Sequence, residues 1–266
     1  MLLQIATSVI LGLVEGITEF LPISSTGHLI LVNQWLSFDE PFTKIFDIVI
    51  QLGSILAAVV YFWPKLWPFN KQDAQKKEIF ELWKNALIGV LPAIVIGGAV
   101  GSRIQTALFH PLVVAVALII GGIILLLVER KKRTSRFELV GSIPWKIAFS
   151  IGLIQCLSFI PGTSRSAATI IGAMVLGVSR TAAVEFSFFL ALPTMVAASA
   201  YSLLKHGGAL TGSQVVLLVL GFITAFVTAL AVIRYFIVYI KRHDFVPFAY
   251  YRVILGGFVF LYFMLR

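Results

Sequence analysis

The chain has 266 residues, of which 59% are hydrophobic and only 12% are charged. An ordinary soluble domain is about half apolar and about a quarter charged, so this composition excludes a soluble globular protein. The formal net charge of +9 does not indicate a nucleic-acid partner, because the basic residues lie in short loops between apolar segments, where they act as topology determinants.

Apolar runs between turn signals predict ten helical segments in one integral membrane domain that fills residues 1–266. In chain order the segments are Leu3–Phe20, His28–Leu36, Ile45–Trp63, Ala86–Val100, Leu112–Val128, Trp145–Ile160, Ala167–Val178, Thr181–Leu204, Val215–Ile240 and Pro247–Leu265. The second and the seventh are too short to cross a bilayer at ~1.5 Å per residue. Each of these two follows a segment that ends in a polar turn with a proline. We therefore expect an all-α polytopic membrane protein with six transmembrane helices and two re-entrant helix-turn-helix hairpins.

The N-terminus has no basic region before its apolar run and no small-residue cleavage site, so we expect mature sequence rather than a signal peptide. The lone cysteine, Cys156, excludes an internal disulfide, and we interpret it as a packing residue.

Six spans divide the loops between two sides of the membrane, and the basic residues are unequally shared. One side receives Lys44, Arg103, Lys205 and Arg266. The other side receives thirteen: Lys65, Lys71, Lys76, Lys77, Lys84, Arg130, Lys131, Lys132, Arg133, Arg136, Lys146, Lys241 and Arg242. By the positive-inside rule the thirteen are cytoplasmic, which places both chain ends on the external face.

Two polar turns resemble each other, FLPISS at Phe20–Ser25 and FIPGTS at Phe159–Ser164. Each turn precedes a short helix and then three spans, so the second copy must be inverted relative to the first. We predict an inverted-topology repeat of about residues 1–129 and about residues 145–266, an architecture known from transporters. Polar backbone at membrane depth is tolerated only where protein or a cavity surrounds it, so both turns should line a cavity.

Glu15 and Glu19 are four residues apart and lie on one helical face. An ionised side chain near the bilayer centre costs roughly 2.5 to 3.5 kcal/mol, so the pair needs a shared proton, a cation or a basic partner. The structural alternative is a pair of acids close to the membrane surface at a helix end.

In the first turn, Ser24, Ser25, Thr26 and Gly27 precede the helix that starts near His28. Hydroxyls and free backbone N–H groups at a helix N-terminus bind phosphate. If the helix begins at the serines, Ser25 and His28 share a face, and the imidazole could take the hydroxyl proton. The alternative is a helix cap, which we favour for Ser24 alone.

The second turn places Arg165 among Thr163, Ser164 and Ser166 at another helix N-terminus. The guanidinium is permanently charged and binds phosphate through two parallel hydrogen bonds. Arg165 could instead neutralise the glutamates, and the two roles are compatible.

Asp47, Gln51 and Glu185 lie inside or near spans. They could orient the site or pair with neighbours such as Arg180, and the sequence leaves both readings open.

These residues resemble the bacterial undecaprenyl-diphosphate phosphatase family, also called bacitracin-resistance protein BacA or UppP. The resemblance covers essentially the whole chain. Its motifs are EGITEFLPISSTGHLILV from Glu15, FIPGTSRSAATIIGAMVLGVSR from Phe159, QLGSILA from Gln51 and ALPTM from Ala191. It implies that a polyprenyl diphosphate lipid, undecaprenyl diphosphate, is hydrolysed to undecaprenyl phosphate and inorganic phosphate at the external face of the bacterial inner membrane. That reaction recycles the lipid carrier of peptidoglycan synthesis and confers bacitracin resistance. The family uses a divalent cation such as Mg²⁺ or Ca²⁺.

The functional positions of that family fall here on Glu15, Glu19, Ser25, His28 and Arg165. We expect the two glutamates to hold the cation and Ser25, activated by His28, to be the nucleophile. The predicted phosphate ligands are Ser24, Thr26, Gly27, Thr163, Ser164, Arg165 and Ser166.

Two alternatives stay open at this point. A metal-bound water could attack instead of the serine, with Ser25 only hydrogen-bonding the phosphate and His28 acting as the acid. The protein could also be a polyprenyl-phosphate flippase or transporter, because inverted repeats mark transporters as well. The sequence likewise leaves a homodimer open.

Overall fold

The computed structural model describes residues 1–69, 71–131, 134–206 and 210–265. Of the charges counted above, Lys132, Arg133 and Arg266 lie outside these residues. The described part of the chain forms eleven α-helices: α1 (Leu2–Thr18), α2 (Ser25–Val32), α3 (Glu40–Leu66), α4 (Asp73–Ile96), α5 (Ser102–Leu108), α6 (Pro111–Arg130), α7 (Trp145–Gln155), α8 (Arg165–Val175), α9 (Arg180–His206), α10 (Gly212–Ile240) and α11 (Val246–Met264). A π-helical segment, Gly97–Gly101, continues α4.

Six of these helices are long and apolar enough to cross a membrane, namely α3, α4 with its π-helical continuation, α6, α9, α10 and α11. The predicted number of spans and the all-α fold class are therefore confirmed. The short helices α2 and α8 have 8 and 11 residues. A turn joins each of them to the helix before it, which is consistent with two re-entrant hairpins.

Two helical features differ from the prediction. Helix α4 begins at Asp73, well before the apolar run at Ala86, because its charged first part is amphipathic and buries Ile79 and Leu82. An i,i+3 ion pair between Lys76 and Asp73 at 3.1 Å supports this polar turn. Helix α5 was not predicted, since its seven residues carry no long apolar run.

Helix α1 lies against α10 through two glycines. A Cβ atom at Gly12 would sit 2.7 Å from the carbonyl oxygen of Gly221, and one at Gly16 would sit 2.7 Å from that of Ala225. Small residues four apart let helices in membranes approach closely, and this contact fixes the rotation of α1. The buried face of α1 consequently includes Glu15.

Helices of one half pack against helices of the other half in a regular pattern. α1 packs along α10, whereas α7, the corresponding first helix of the second half, packs along α4. α6 packs along α11, the last helix of each half. A twofold relation between the halves would produce this exchange. The boundaries of the two repeats and their inversion stay a prediction.

A cluster of buried phenylalanines packs against the first turn. Phe20 is fully buried and meets Phe188 edge to face, with ring centroids 4.9 Å apart. Phe62 packs against Phe188 and Phe189 from α3. The turn that carries the serines is thus held in place by tightly packed aromatic side chains.

Candidate active site

The two turns share one unusual backbone conformation. Ser24 and Ser164 both have a φ of 71°, and among the described residues they are the non-glycine residues with positive φ. Each is an N-cap: the Ser24 hydroxyl accepts from the Gly27 N–H at 3.3 Å and the Ser164 hydroxyl from the Ala167 N–H at 3.2 Å. The cap role of Ser24 is confirmed. Such conformations cost roughly 1 to 3 kcal/mol each and concentrate at functional sites.

The matching backbone conformations of Ser24 and Ser164 shift the alignment of the two turns by one residue. The motifs FLPISS and FIPGTS pair Ser25 with Ser164, whereas the structure pairs Ser24 with Ser164. The second turn has one more residue between its proline and its cap. Ser25 and Arg165 are therefore equivalent, as the first residues of α2 and α8.

Both of these first residues contact Glu19. The Ser25 hydroxyl donates to Glu19 Oε2 at 2.8 Å, and Arg165 Nη2 donates to Glu19 Oε1 at 3.0 Å. The side chains of Arg165 and Glu19 are only 11% and 6% exposed, so the ion pair is desolvated. Arg165 therefore neutralises Glu19, whose other oxygen accepts from Ser25.

Helix α9 holds the other edge of the Arg165 guanidinium. Nη1 donates to the Ser187 carbonyl oxygen at 3.1 Å, and the Ser187 hydroxyl lies 2.6 Å from that of Thr169. Arg165 Nε is buried and, within the described residues, has no hydrogen-bond partner. The guanidinium is thus fixed in place with one donor still available.

His28 has other partners than the one we expected. Its Nδ1 lies 2.7 Å from the Ser24 carbonyl oxygen, and its Nε2 lies 2.7 Å from the Tyr251 hydroxyl. Because a carbonyl only accepts, Nδ1 carries a proton; when the ring is neutral, Nε2 then accepts from the Tyr251 hydroxyl. The Ser25 hydroxyl donates to Glu19 instead, so the expected proton transfer from Ser25 to His28 has no hydrogen bond to follow.

Glu15 and Asp47 lie close enough to interact electrostatically, and Glu19 and Arg165 also act on Glu15. Glu15 Oε1 and Asp47 Oδ1 are buried and, in the described part of the chain, make no hydrogen bond. Mg²⁺ and Ca²⁺ prefer such carboxylate oxygens. No cluster of three His, Cys, Asp or Glu with metal-site spacing occurs in the described ranges; the two unpartnered oxygens are the donors that a divalent cation would use here. Both oxygens of Glu19 already have partners.

Arg252 of α11 joins the two turns, and sequence reasoning missed it. It is fully buried. Its Nη1 donates to the Pro22 carbonyl oxygen at 3.2 Å, and its Nη2 donates to that of Thr163 at 3.0 Å. Gly121 makes room for it, since any side chain there would collide with the guanidinium. A charged residue inside an apolar span was the available signal.

The hydroxyls of the turns are mostly used inside the protein. Ser166 donates to the Leu21 carbonyl oxygen at 2.8 Å, which ties the second turn to the first, and it lies 2.9 Å from the Ser164 hydroxyl. Of the remaining predicted ligands, Thr26 is half-buried, Gly27 is buried and Thr163 accepts from Arg252. Phosphate binding by these residues stays a prediction.

The two acids whose roles the sequence left open have different surroundings. Asp47 acts electrostatically on Glu15, whereas Glu185 pairs with Lys65 at 2.9 Å. Arg180 pairs with Glu129 rather than with Glu185.

Known proteins resemble this chain over nearly its full length. Residues 8–258 match the family described as bacitracin resistance protein BacA. Undecaprenyl-diphosphatase 1 of Clostridioides difficile is 50% identical over 268 residues, which cover 99% of this chain and 98% of that protein. Undecaprenyl-diphosphatase of Limosilactobacillus fermentum is 47% identical, covering 99% of both chains. The Enterococcus faecalis undecaprenyl-diphosphatase is 46% identical, covering 97% of both.

Proposed function

The chain belongs to the bacitracin resistance protein BacA family, and we propose that it hydrolyses undecaprenyl diphosphate to undecaprenyl phosphate and inorganic phosphate. The names of the relatives support this substrate. One structural observation supports the chemistry: the Ser25 hydroxyl donates at 2.8 Å to a carboxylate that Arg165 holds in place. A hydroxyl beside a fixed base is the arrangement of an activated nucleophile.

In the proposed reaction, Ser25 Oγ attacks the terminal phosphorus and Glu19 takes the hydroxyl proton. The bond from that phosphorus to the bridging oxygen breaks, and undecaprenyl phosphate leaves. Water then hydrolyses the phosphoserine, which releases inorganic phosphate and restores Ser25. Glu19 replaces His28 as the base because the Ser25 hydrogen bond runs to Glu19. His28, held by Ser24 and Tyr251, is left to act on the leaving oxygen or on the water.

Positive charge must offset the diphosphate in a buried site. Arg165 supplies it, with Nε free to donate to a phosphate oxygen. The first N–H groups of α2 and α8 add donors, since they have no acceptor within their own helices. A divalent cation held by Glu15 and Asp47, beside Glu19, would neutralise further phosphate charge when bound.

The decisive experiment uses the purified protein in detergent with undecaprenyl diphosphate and Mg²⁺. Release of inorganic phosphate, stoichiometric with undecaprenyl phosphate, is expected. A protein that binds the lipid and moves it between leaflets of proteoliposomes, yet releases no phosphate, would contradict the proposal and favour a flippase.

The cellular setting is part of the proposal. Membership of the family supports a bacterial cytoplasmic membrane location with the site open to the external face, and the basic-residue asymmetry supports the orientation of the spans. There the enzyme would recycle the carrier of peptidoglycan synthesis and lower sensitivity to bacitracin.

A further inference from the structure

A cavity of about 420 Å³ lies at the end of α6, where the loop that follows it meets the start of α9. Its size falls in the range of about 300 to 1,000 Å³ that is usual for ligand pockets. The inner wall is apolar and buried, and it is formed by Val128, Met174 and Val178. The opening is lined by exposed polar and basic residues, namely Lys131, Thr134, Ser135 and Arg180. The opening of this cavity therefore suits an anionic ligand.

The walls of the cavity are held by backbone hydrogen bonds between two loops. The Arg136 N–H donates to the Gly177 carbonyl oxygen at 2.8 Å, and the Ser179 N–H donates to that of Phe137 at 2.9 Å. Gly177 has a φ of 92°, a conformation that residues with a side chain rarely adopt. The cavity is thus formed by the protein itself, so little ordering of these loops opposes the binding of a ligand.

Two cationic side chains at the opening can donate to a ligand. Arg180 donates to Glu129 through Nε and Nη2, which leaves Nη1 as a donor in the described part of the chain. Glu129 also accepts from the Phe245 N–H and is only 1% exposed, so its charge is already compensated. Lys131 is exposed and directly follows the last residue of α6. The acidic residues Glu138 and Asp244 lie nearby, but neither lines the cavity.

An exposed apolar face leads away from the cavity along α6. Leu127 lies one helical turn before Lys131, and Ile124 and Ile120 continue the same face. These three side chains are 61%, 43% and 51% exposed. Because α6 is long and apolar enough to cross a membrane, they contact hydrocarbon, and Lys131 lies at the edge of that region. A ligand with acyl chains can use this face, whereas a free anion cannot.

We propose that this cavity binds the phosphodiester headgroup of an anionic phospholipid such as phosphatidylglycerol. Lys131 and Arg180 Nη1 would donate to the phosphate oxygens, and the acyl chains would pack along Leu127 and the rest of the exposed face of α6. Basic pockets between membrane helices on the cytoplasmic side bind such headgroups, and the basic residues predict that side here.

A lipid bound in this way would join α6 to α9 beside the contact between Arg180 and Glu129. Because it would bind the folded protein and not the unfolded chain, it would raise the melting temperature. Neither Ser25 nor Glu19 lines the cavity, so the proposal does not rest on the proposed function.

The test measures lipid binding to the purified protein by native mass spectrometry, together with the melting temperature in detergent. Phosphatidylglycerol is compared with phosphatidylcholine of the same acyl chains, which has no net charge, and with inorganic phosphate, which has no acyl chains. Lys131→Gln removes one of the two phosphate donors at an exposed position. Lys241→Gln is the matched control, because Lys241 is also exposed and lies on the same predicted side, but does not line the cavity. Arg180 is left in place, since its removal would leave the buried Glu129 carboxylate unpaired.

We expect the wild type to bind one phosphatidylglycerol with a Kd at least tenfold lower than that for phosphatidylcholine, and to melt at a higher temperature with it. Lys131→Gln should raise the Kd for phosphatidylglycerol about fivefold, which corresponds to about 1 kcal/mol for one basic residue near a headgroup. Lys241→Gln should leave the Kd unchanged. Equal binding of the two lipids, or an equal loss in the two variants, would overturn the proposal. If inorganic phosphate raised the melting temperature as much as phosphatidylglycerol does, the cavity would be a site for a free anion, and the lipid would be the wrong ligand.

Discussion

Arg165 Nη2 donates to Glu19 Oε1 at 3.0 Å, although 146 residues separate the two in the chain. The contact joins the helix before the first turn to the helix after the second. Removing one partner of a buried ion pair costs about 3 to 5 kcal/mol, because the remaining charge is left unpaired. The two turns therefore depend on each other for both position and charge.

Arg165→Lys should keep the fold and lose about tenfold to a hundredfold in kcat/KM, since one hydrogen bond to a charged group contributes about 1.5 to 3 kcal/mol. Lysine can still pair with Glu19, but it cannot hold Ser187 and offer a further donor to phosphate. Turnover is measured at saturating Mg²⁺, together with the melting temperature. Arg234→Lys, at an exposed position of α10, is the control and should retain its turnover. Near wild-type activity in Arg165→Lys would reduce Arg165 to a neutralising role.

Glu19→Gln should lower kcat by roughly a hundredfold or more, the contribution usual for a general base. Ser25→Ala should abolish turnover if the serine is the nucleophile. Single-turnover experiments should trap a phosphoserine in wild type and none in Ser25→Ala. Substantial activity in Ser25→Ala would shift the attack to water. If His28→Gln lowered kcat more than Glu19→Gln does, His28 rather than Glu19 would be the base.

Tyr251→Phe removes the hydroxyl that bonds His28 Nε2 and keeps the stacked ring, whose centroid lies 5.6 Å from that of His28. A single net hydrogen bond is worth about 0.5 to 1.5 kcal/mol, so we expect kcat to fall roughly twofold to tenfold. The dependence of kcat on pH should shift as well, because the ring nitrogen loses its partner. Tyr250→Phe is the neighbouring control, since that hydroxyl contacts Arg130 instead. If kcat of Tyr251→Phe depended on pH as the wild-type value does, Tyr251 would have no part in the chemical step.

Arg252→Met should destabilise the protein by several kcal/mol, because each buried carbonyl left without a donor costs about 1 to 3 kcal/mol. Activity should fall with it, since Arg252 holds both turns. Arg252→Lys should recover part of the stability, as its ammonium can still donate to one turn. The readout is the melting temperature in detergent, with Arg234→Met at an exposed position of α10 as the control. Equal melting temperatures for the two methionine variants would remove Arg252 from its proposed role.

The predicted orientation is tested by cysteine labelling in intact cells, in a Cys156→Ser background. A membrane-impermeant maleimide should label Lys44→Cys and leave Lys76→Cys unlabelled until the cells are permeabilised. The expectation follows from the excess of basic residues on the side of Lys76. The reverse labelling pattern would invert the assignment and move the site to the cytoplasmic face.

The spans could be predicted from the sequence because hydropathy alone determines them, and the six long helices confirm this. The start of α4 at Asp73 could not, since its charged residues form a helix outside the apolar run. The one-residue shift between the turns escaped detection as well. It depends on the backbone of Ser24 and Ser164, and the residue types alone favoured the alignment of Ser25 with Ser164.

The candidate site was predictable where its residues lie in the two motifs. Glu19, Ser25 and Arg165 do meet, as expected. The partner of Ser25 was not predictable, because three and six residues of separation from His28 and Glu19 both allow contact through a turn. Tyr251 and Arg252 lie more than 200 residues from His28 and Pro22, and only tertiary packing reveals those contacts.

Glu129, at the end of α6, contacts the start of α9 and the start of α11, so it links three helices that belong to both halves. Its side chain is only 1% exposed and accepts from Arg180 Nε at 3.0 Å and from the Phe245 N–H at 3.0 Å. A rocking transporter must part its halves at each face in turn, and here parting them would strand a buried carboxylate. The contacts of Glu129 therefore hold α6, α9 and the start of α11 together, and any movement of one half against the other has to break them.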